Sequence, residues 1–163
     1  HPPRNNLLQL PILFENRDGV RFVNVAESAG DYLSSPHRGR GLATGDLDLD
    51  GDFDVVVSHL NEPVELLENY SARRGNWLQI RLIGTTSSRV PVGTRVSISV
   101  PGGDTQTRQL YSGGSYLSSS ESILLVATGE VEHVAVNVHW PTGMEQRILD
   151  VPVAQRLTVV ETR

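Results

Sequence analysis

Five aspartates stand at every second position from Asp46 to Asp54, in the run Gly45-Asp46-Leu47-Asp48-Leu49-Asp50-Gly51-Asp52-Phe53-Asp54. Like charges this close repel one another, so folding alone gives no reason for them. A hard cation does. Calcium takes about six to eight oxygen ligands in flexible geometry, and short acidic loops supply them. Gly51 falls where such a loop turns sharply, in a backbone conformation that a Cβ disfavours.

Counted from Asp46, the carboxylates occupy positions one, three, five, seven and nine, with Gly51 at six. The opening D-x-D-x-D-G matches the first half of an EF-hand loop. The second half departs from it, because position twelve is Val57 where an EF-hand carries a bidentate Glu. The residues that follow, Asp54-Val55-Val56-Val57-Ser58, are a β-branched run that reads as a buried strand. The pattern is therefore D-x-D-x-D-G-x-x-D leading into a strand. It assigns side-chain oxygens of Asp46, Asp48, Asp50 and Asp54 to a calcium ion, and the Asp52 carbonyl as a further ligand. Leu47, Leu49 and Phe53 alternate with these residues and are expected to point into the core. The competing reading is an acidic, solvated turn that binds nothing. Magnesium suits the loop less well, because it retains several waters.

The elements that must position this loop are short and β-rich. Strands are expected at 11–14, 21–25, 41–45, 54–59 and 64–69. After a polar break at Ser71–Asn76, further strands are expected at 77–83, 94–100, 105–111, 122–127, 133–139, 145–151 and 156–161. Leu78, Ile80 and Leu82 share one face, with Gln79, Arg81 and Ile83 on the other, and Val134, Val136 and Val138 repeat the alternation. No segment sustains a helical period, so the expected class is all-β. The break divides the chain into residues 1–72, which carry the acidic loop, and residues 73–163, whose seven strands suffice for a sandwich.

Composition narrows the functional classes. The net charge of −5 equals the charge of the five loop aspartates, so the acidic excess is local. Nucleic-acid binding, which needs a basic stripe, is not expected. No apolar run is long enough for a membrane span. The chain has no Cys, which removes disulfides and thiolate chemistry. It also has no Lys, since all fourteen basic residues are Arg; that removes a Walker-type phosphate loop and Schiff-base chemistry.

Gly41-Leu42-Ala43-Thr44-Gly45, the acidic loop and Val55-Val56-Val57-Ser58-His59 together resemble an FG-GAP (VCBS, integrin-alpha-like) repeat. Phe14–Ala26 resembles the join between two such repeats, and Leu66-Leu67-Glu68-Asn69 resembles that join coming round again. The second half resembles the ASPIC/UnbV domain through Asn76–Gly84, Val92-Gly93-Thr94-Arg95-Val96, Ser112–Ser119 and Val138-His139-Trp140-Pro141-Thr142-Gly143. In this order the two resemble the C-terminal end of cartilage acidic protein-like proteins. The resemblance implies a partial β-propeller-type blade with a calcium loop, followed by a transthyretin-like β-sandwich. It implies a non-enzymatic, calcium-binding, secreted or extracellular module (periplasmic or cell-surface in a bacterium). Such a module works in adhesion or protein interaction, with a protein or glycan partner on a cell surface or matrix. Only one metal repeat is present, so a lone blade is expected to leave sheet edges open to self-association or to further blades.

The alternative reading is a carbohydrate-binding module or an accessory domain of a secreted hydrolase, for which Trp77 or Trp140 lying flat on the surface would be the sign. His1, His37, His59, His133 and His139 show no metal-ligand spacing such as H-E-x-x-H. G-x-S-x-G is absent, so no catalytic residue is assigned and the chain is expected not to be an enzyme. The run Ser112–Ser122 reads as a polar connection between strands.

Overall fold

A computed structural model describes residues 7–71 and 75–162. The expected boundary between residues 72 and 73 falls outside the described residues. The class is all-β: fourteen strands and two short 3-10 turns, with no α-helix among the described residues.

The first half contains a hairpin of β1 (Phe14–Arg17) and β2 (Arg21–Asn24), then the 3-10 turns Ala26–Ser28 and Asp31–Ser34. A three-stranded sheet follows, built from β3 (Gly39–Gly45), β4 (Asp54–His59) and β5 (Glu65–Leu67), with β4 in the middle. The acidic loop joins β3 to β4, and Gly45 pairs with Asp54 at its neck. β1 begins at the last residue of the strand expected at 11–14. Pro11 lacks the N–H that a paired strand donates.

The second half consists of β6 (Asn76–Ile83), β7 (Arg95–Ser99), β8 (Thr105–Gln109), β9 (Gly114–Ser115), β10 (Ser118–Ser119), β11 (Ile123–Gly129), β12 (His133–His139), β13 (Glu145–Pro152) and β14 (Gln155–Val160). One sheet has the order β11-β6-β14, with β14 parallel to β6. The other runs β13-β12-β7-β8. The two sheets share a single apolar core. Leu78, Ile80, Leu82, Val126 and Val159 come from the first sheet, and Val96, Ile98, Val134, Val136, Val138 and Val151 from the second. The alternation of Leu78, Ile80 and Leu82 places all three inside, as expected.

One reading is corrected. Leu47 and Leu49 do not point into the core: they are 56% and 71% exposed, and Phe53 is half-buried. The period-two rule holds only for extended chain, and the loop is not extended; Leu49 adopts a positive φ of 64°. Gln79, on the face opposite Leu78, is also fully buried. The first half packs over it.

Candidate metal centre at the junction of the two halves

The loop lies against the second half, not in open solvent. Gly51 has φ 101°, and a Cβ there would overlap the Trp77 indole ring at the start of β6. Glycine thus serves both the turn and the close approach of the two halves.

Asp46 is the pivot of the site. It is buried, with a side chain only 2% exposed. Its Oδ2 accepts from the Gly51 amide at 3.2 Å and from Gln79 Nε2 at 2.6 Å, and lies 3.6 Å from an Arg156 guanidinium nitrogen. Arg156 Nε in turn donates to Gln79 Oε1 at 2.8 Å, and its Nη1 donates to Glu121 at 3.2 Å. Glu121 closes the circuit by accepting from the Asp46 amide at 3.2 Å. A buried carboxylate is costly unless paired, and β6, β14 and the β10–β11 connection of the second half contribute to the pairing.

Two atoms of this circuit are left without a hydrogen-bond partner, and one of them is Arg156 Nη2. The other is Asp46 Oδ1, which is buried. A buried, unsatisfied carboxylate oxygen needs an explanation. Carboxylate oxygens of Asp46, Asp48 and Asp50 lie within 4.8 Å of one another. Asp48 accepts from the Asp50 amide at 3.1 Å, and Asp50 accepts from the Asp52 amide at 2.9 Å, so each side chain folds back on the loop. Asp54 is buried and accepts two amides, Leu47 at 2.9 Å and Asn69 at 3.0 Å; each bond leaves a lone pair on its oxygen. The Asp48 carboxyl is raised above its ordinary value. The Asp50 amide holds it down, but desolvation and the charges of Asp50, Asp54 and Glu68 outweigh that bond. The donor set is all oxygen and strongly anionic, which suits a hard divalent cation.

Sequence reasoning placed the aspartates and missed what braces them. Gln79, Glu121 and Arg156 lie 33, 75 and 110 residues from Asp46. Gln79 carried one signal: an amide at the middle of a strand whose flanking residues Leu78 and Ile80 are apolar.

Trp77, Trp140 and His139, also singled out in the sequence, do not form a site. Trp140 is 3% exposed and belongs to the core, and Trp77 lies under Gly51, so neither forms the surface platform that a sugar ring would need. His139 pairs with the exposed Glu145 at 3.3 Å. The run Ser112–Ser122 has a definite structural role. β3 is an edge strand, and its outward amides at Leu42 and Thr44 donate to the hydroxyls of Ser115 (3.2 Å) and Ser120 (3.1 Å). The Leu42 carbonyl accepts from Ser118 (2.9 Å), and the Thr44 carbonyl accepts the Glu121 amide (2.8 Å). A serine-rich segment of the second half thereby covers the sheet edge of the first.

Residues 84–163 match the ASPIC and UnbV family. The matched region spans β7 to β14; β6 and the acidic loop lie outside it. The chain is also similar to cartilage acidic protein 1 of Homo sapiens, at 27% identity over 117 residues, and to that of Xenopus tropicalis, at 26% over the same length. Both alignments take in 70% of this chain but only 18% of the relative, so the chain spans less than a fifth of the length of the curated relatives it matches.

Proposed function

We propose that this chain is a non-enzymatic, calcium-binding extracellular module of the cartilage acidic protein type. In this reading, residues 1–72 are an FG-GAP-type propeller blade and residues 73–163 a transthyretin-like ASPIC/UnbV domain. Calcium binds at Asp46, Asp48, Asp50, the Asp52 carbonyl and Asp54. The observation that carries the reading is the orphaned Oδ1 of buried Asp46, with oxygens of Asp48 and Asp50 in its neighbourhood. The raised Asp48 carboxyl supports it, because a cation relieves the repulsion among these charges.

The role of the cation is structural. Asp46 faces Gln79 and Arg156 as well as the loop, so neutralising the cluster also steadies the contact between the halves. The partner is a protein or a glycan on a cell surface or matrix, another copy of the chain, or further blades of a propeller. The apolar residues Leu10, Ile12, Phe14, Phe22 and Leu66 are more than half exposed and offer a surface for it.

Calorimetry of EDTA-stripped protein tests the central claim. One calcium per chain is expected, with a stabilisation of about 2.7 kcal/mol at a hundredfold excess over Kd. Asp48→Ala or Asp50→Ala should remove the calcium-dependent rise in Tm. If calcium gives neither heat nor a change in Tm, the reading fails. Sedimentation at several concentrations tests whether the exposed face pairs two copies.

A further inference from the structure

A second cluster of metal-ligand residues lies at the opposite end of β4 from the acidic loop. Asp54 opens that strand and His59 closes it, so the two ends stand roughly 17 Å apart at the rise of a β-strand. His59 meets His37, which precedes β3, Glu62 in the β4–β5 connection, and Tyr32 in the second 3-10 turn. One ligand atom from each of His37, His59 and Glu62 lies within 4.8 Å of the others.

The hydrogen bonds fix where the ring protons sit. His59 Nδ1 lies 2.6 Å from the Pro63 carbonyl, and His37 Nε2 lies 3.1 Å from the Tyr32 carbonyl. A carbonyl can only accept, so both of these nitrogens carry hydrogen. The inward nitrogens, His59 Nε2 and His37 Nδ1, are therefore the ones with lone pairs when the rings are neutral. This arrangement is typical of metal-binding histidines, whose outer N–H is tied to a backbone carbonyl or carboxylate. Glu62 is prepared in the same way. Its Oε1 is held by Arg38 at 3.1 Å, and its Oε2 faces His37 Nδ1 at 3.6 Å. A lone pair facing a carboxylate oxygen is repulsive unless a cation or a proton lies between them.

The separations suit a small ion. Two ligands about 2.1 Å from a tetrahedral centre sit roughly 3.4 Å apart, close to the His37–Glu62 distance. Tyr32 stacks on the His37 ring with centroids 4.1 Å apart, and its hydroxyl donates to His59 Nε2 at 2.8 Å. That hydroxyl yields the lone pair when the ion enters. His37 and Glu62 are 20% and 24% exposed, so solvent can deliver the ion.

We propose that His37, His59 and Glu62 form a second cation site, selective for a borderline transition metal of the zinc class and independent of the acidic loop. Two imidazoles and one carboxylate favour zinc over calcium, which prefers a site made of oxygen alone.

The test is titration of the full 163-residue chain with zinc in saturating calcium, and separately with cobalt(II), whose visible absorption reports nitrogen ligation in a low-coordinate site. We expect one zinc equivalent, visible cobalt bands that zinc displaces, and a higher Tm. Glu62→Gln and His37→Ala should each weaken zinc by more than about tenfold, the least that even an outer-sphere partner is worth. Asp48→Asn should leave zinc affinity unchanged. The cobalt spectrum of the unmodified chain needs no variant to fold. An absence of zinc binding, a featureless cobalt spectrum, or equal affinity in His37→Ala would overturn the proposal and make the His37–Glu62 contact a proton-mediated ion pair.

Discussion

The two halves use the same material, short strands rich in β-branched residues, and reach different ends. From Leu78 to Val159 the strands enclose a core whose central members are inaccessible to solvent. Before Ser71, the buried apolar side chains among the described residues are Ala26 and Val57. Both faces of the β1–β2 hairpin are open, apart from half-buried Val23. The second half is therefore held chiefly by apolar burial. The first is held by polar ties: serines along its edge, the Asp46 circuit, and the Tyr32–His37–His59 stack. Polar ties need particular partners in particular places, whereas a core needs mainly volume and pattern.

The largest effect should come from breaking the core. Ile98 is fully buried, and Ile98→Ala is expected to cost about 2–5 kcal/mol. Val57 is buried but lies outside the shared core, and Val57→Ala should cost only about 1 kcal/mol. Urea denaturation of both variants measures the contrast. Equal losses would mean that the first half packs as tightly as the second and that its exposed face is not a separate surface.

The next effect falls on the junction. Gln79→Leu removes the 2.6 Å donor from Asp46 and the acceptor from Arg156 Nε. Leaving buried polar groups without partners costs about 1–3 kcal/mol. The loss should be greater in EDTA than in calcium, because a bound cation supports the same carboxylate. Amide exchange locates the damage. If protection falls only in the acidic loop, with β6 and β14 unchanged, then Gln79 does not couple the halves.

Glu161 sharpens the comparison from the other side, since it is a polar tie inside the well-packed half. Its Oε2 accepts the amides of Thr85 (3.0 Å), Thr86 (3.0 Å) and Ser87 (2.7 Å), and its Oε1 accepts the hydroxyls of Ser87 (2.9 Å) and Thr142 (2.8 Å). Desolvation pushes its carboxyl up, but the Ser87 amide, the Thr142 hydroxyl, the Thr85 amide and the Ser87 hydroxyl together hold it at about 2, against an ordinary 4.5. A lowered folded-state value stabilises above the unfolded value and is lost as pH falls. Its contribution is thus present above pH 4.5 and disappears toward pH 2. Glu161→Gln should flatten this part of the acid-unfolding profile and leave the profile near neutrality parallel to that of the unmodified chain. An unchanged acid limb would mean that the carboxylate is not the titrating group.

The all-β class and most strands were legible because alternation is a local signal: His133–His139 and Asp54–His59 begin and end as read. The grouping of Asp46, Asp48 and Asp50 was legible because their alternation lies within one short loop. What was hidden depends on contacts between residues distant in sequence. His37 and His59 carry no recognisable spacing, since 22 residues and one reversal of the chain separate them; only the H-x-x-E of His59 and Glu62 hinted at the cluster. The burial of Gln79 was hidden because it depends on the acidic loop, 33 residues away in sequence. Ser112–Ser122 looked like a connection because no sequence pattern says that hydroxyls will cap another strand's edge.

That serine segment carries the smallest and most specific prediction. Ser115 and Ser120 each accept one amide from β3, and Ser118 donates to a β3 carbonyl. Gly41 lets the segment lie close, since a Cβ there would stand 2.7 Å from the Tyr116 carbonyl. Water can replace part of each bond at this exposed edge, so Ser115→Ala should cost only about 0.5–1 kcal/mol, near the lower end for a hydrogen bond. The double variant Ser115→Ala/Ser120→Ala uncovers both outward amides of β3 at once. A bare edge is a template for another strand, so its larger consequence should be association: a concentration-dependent rise in sedimentation coefficient with little change in Tm. Ser97→Ala is the matched control, because its hydroxyl meets Thr107 on the neighbouring strand of one sheet, away from the junction. If the double variant stays monomeric and loses no more stability than Ser97→Ala, the serines are a connection after all. The first half would then depend on the Asp46 circuit and the Glu121–Thr44 backbone bond, rather than on the serines, to stay docked.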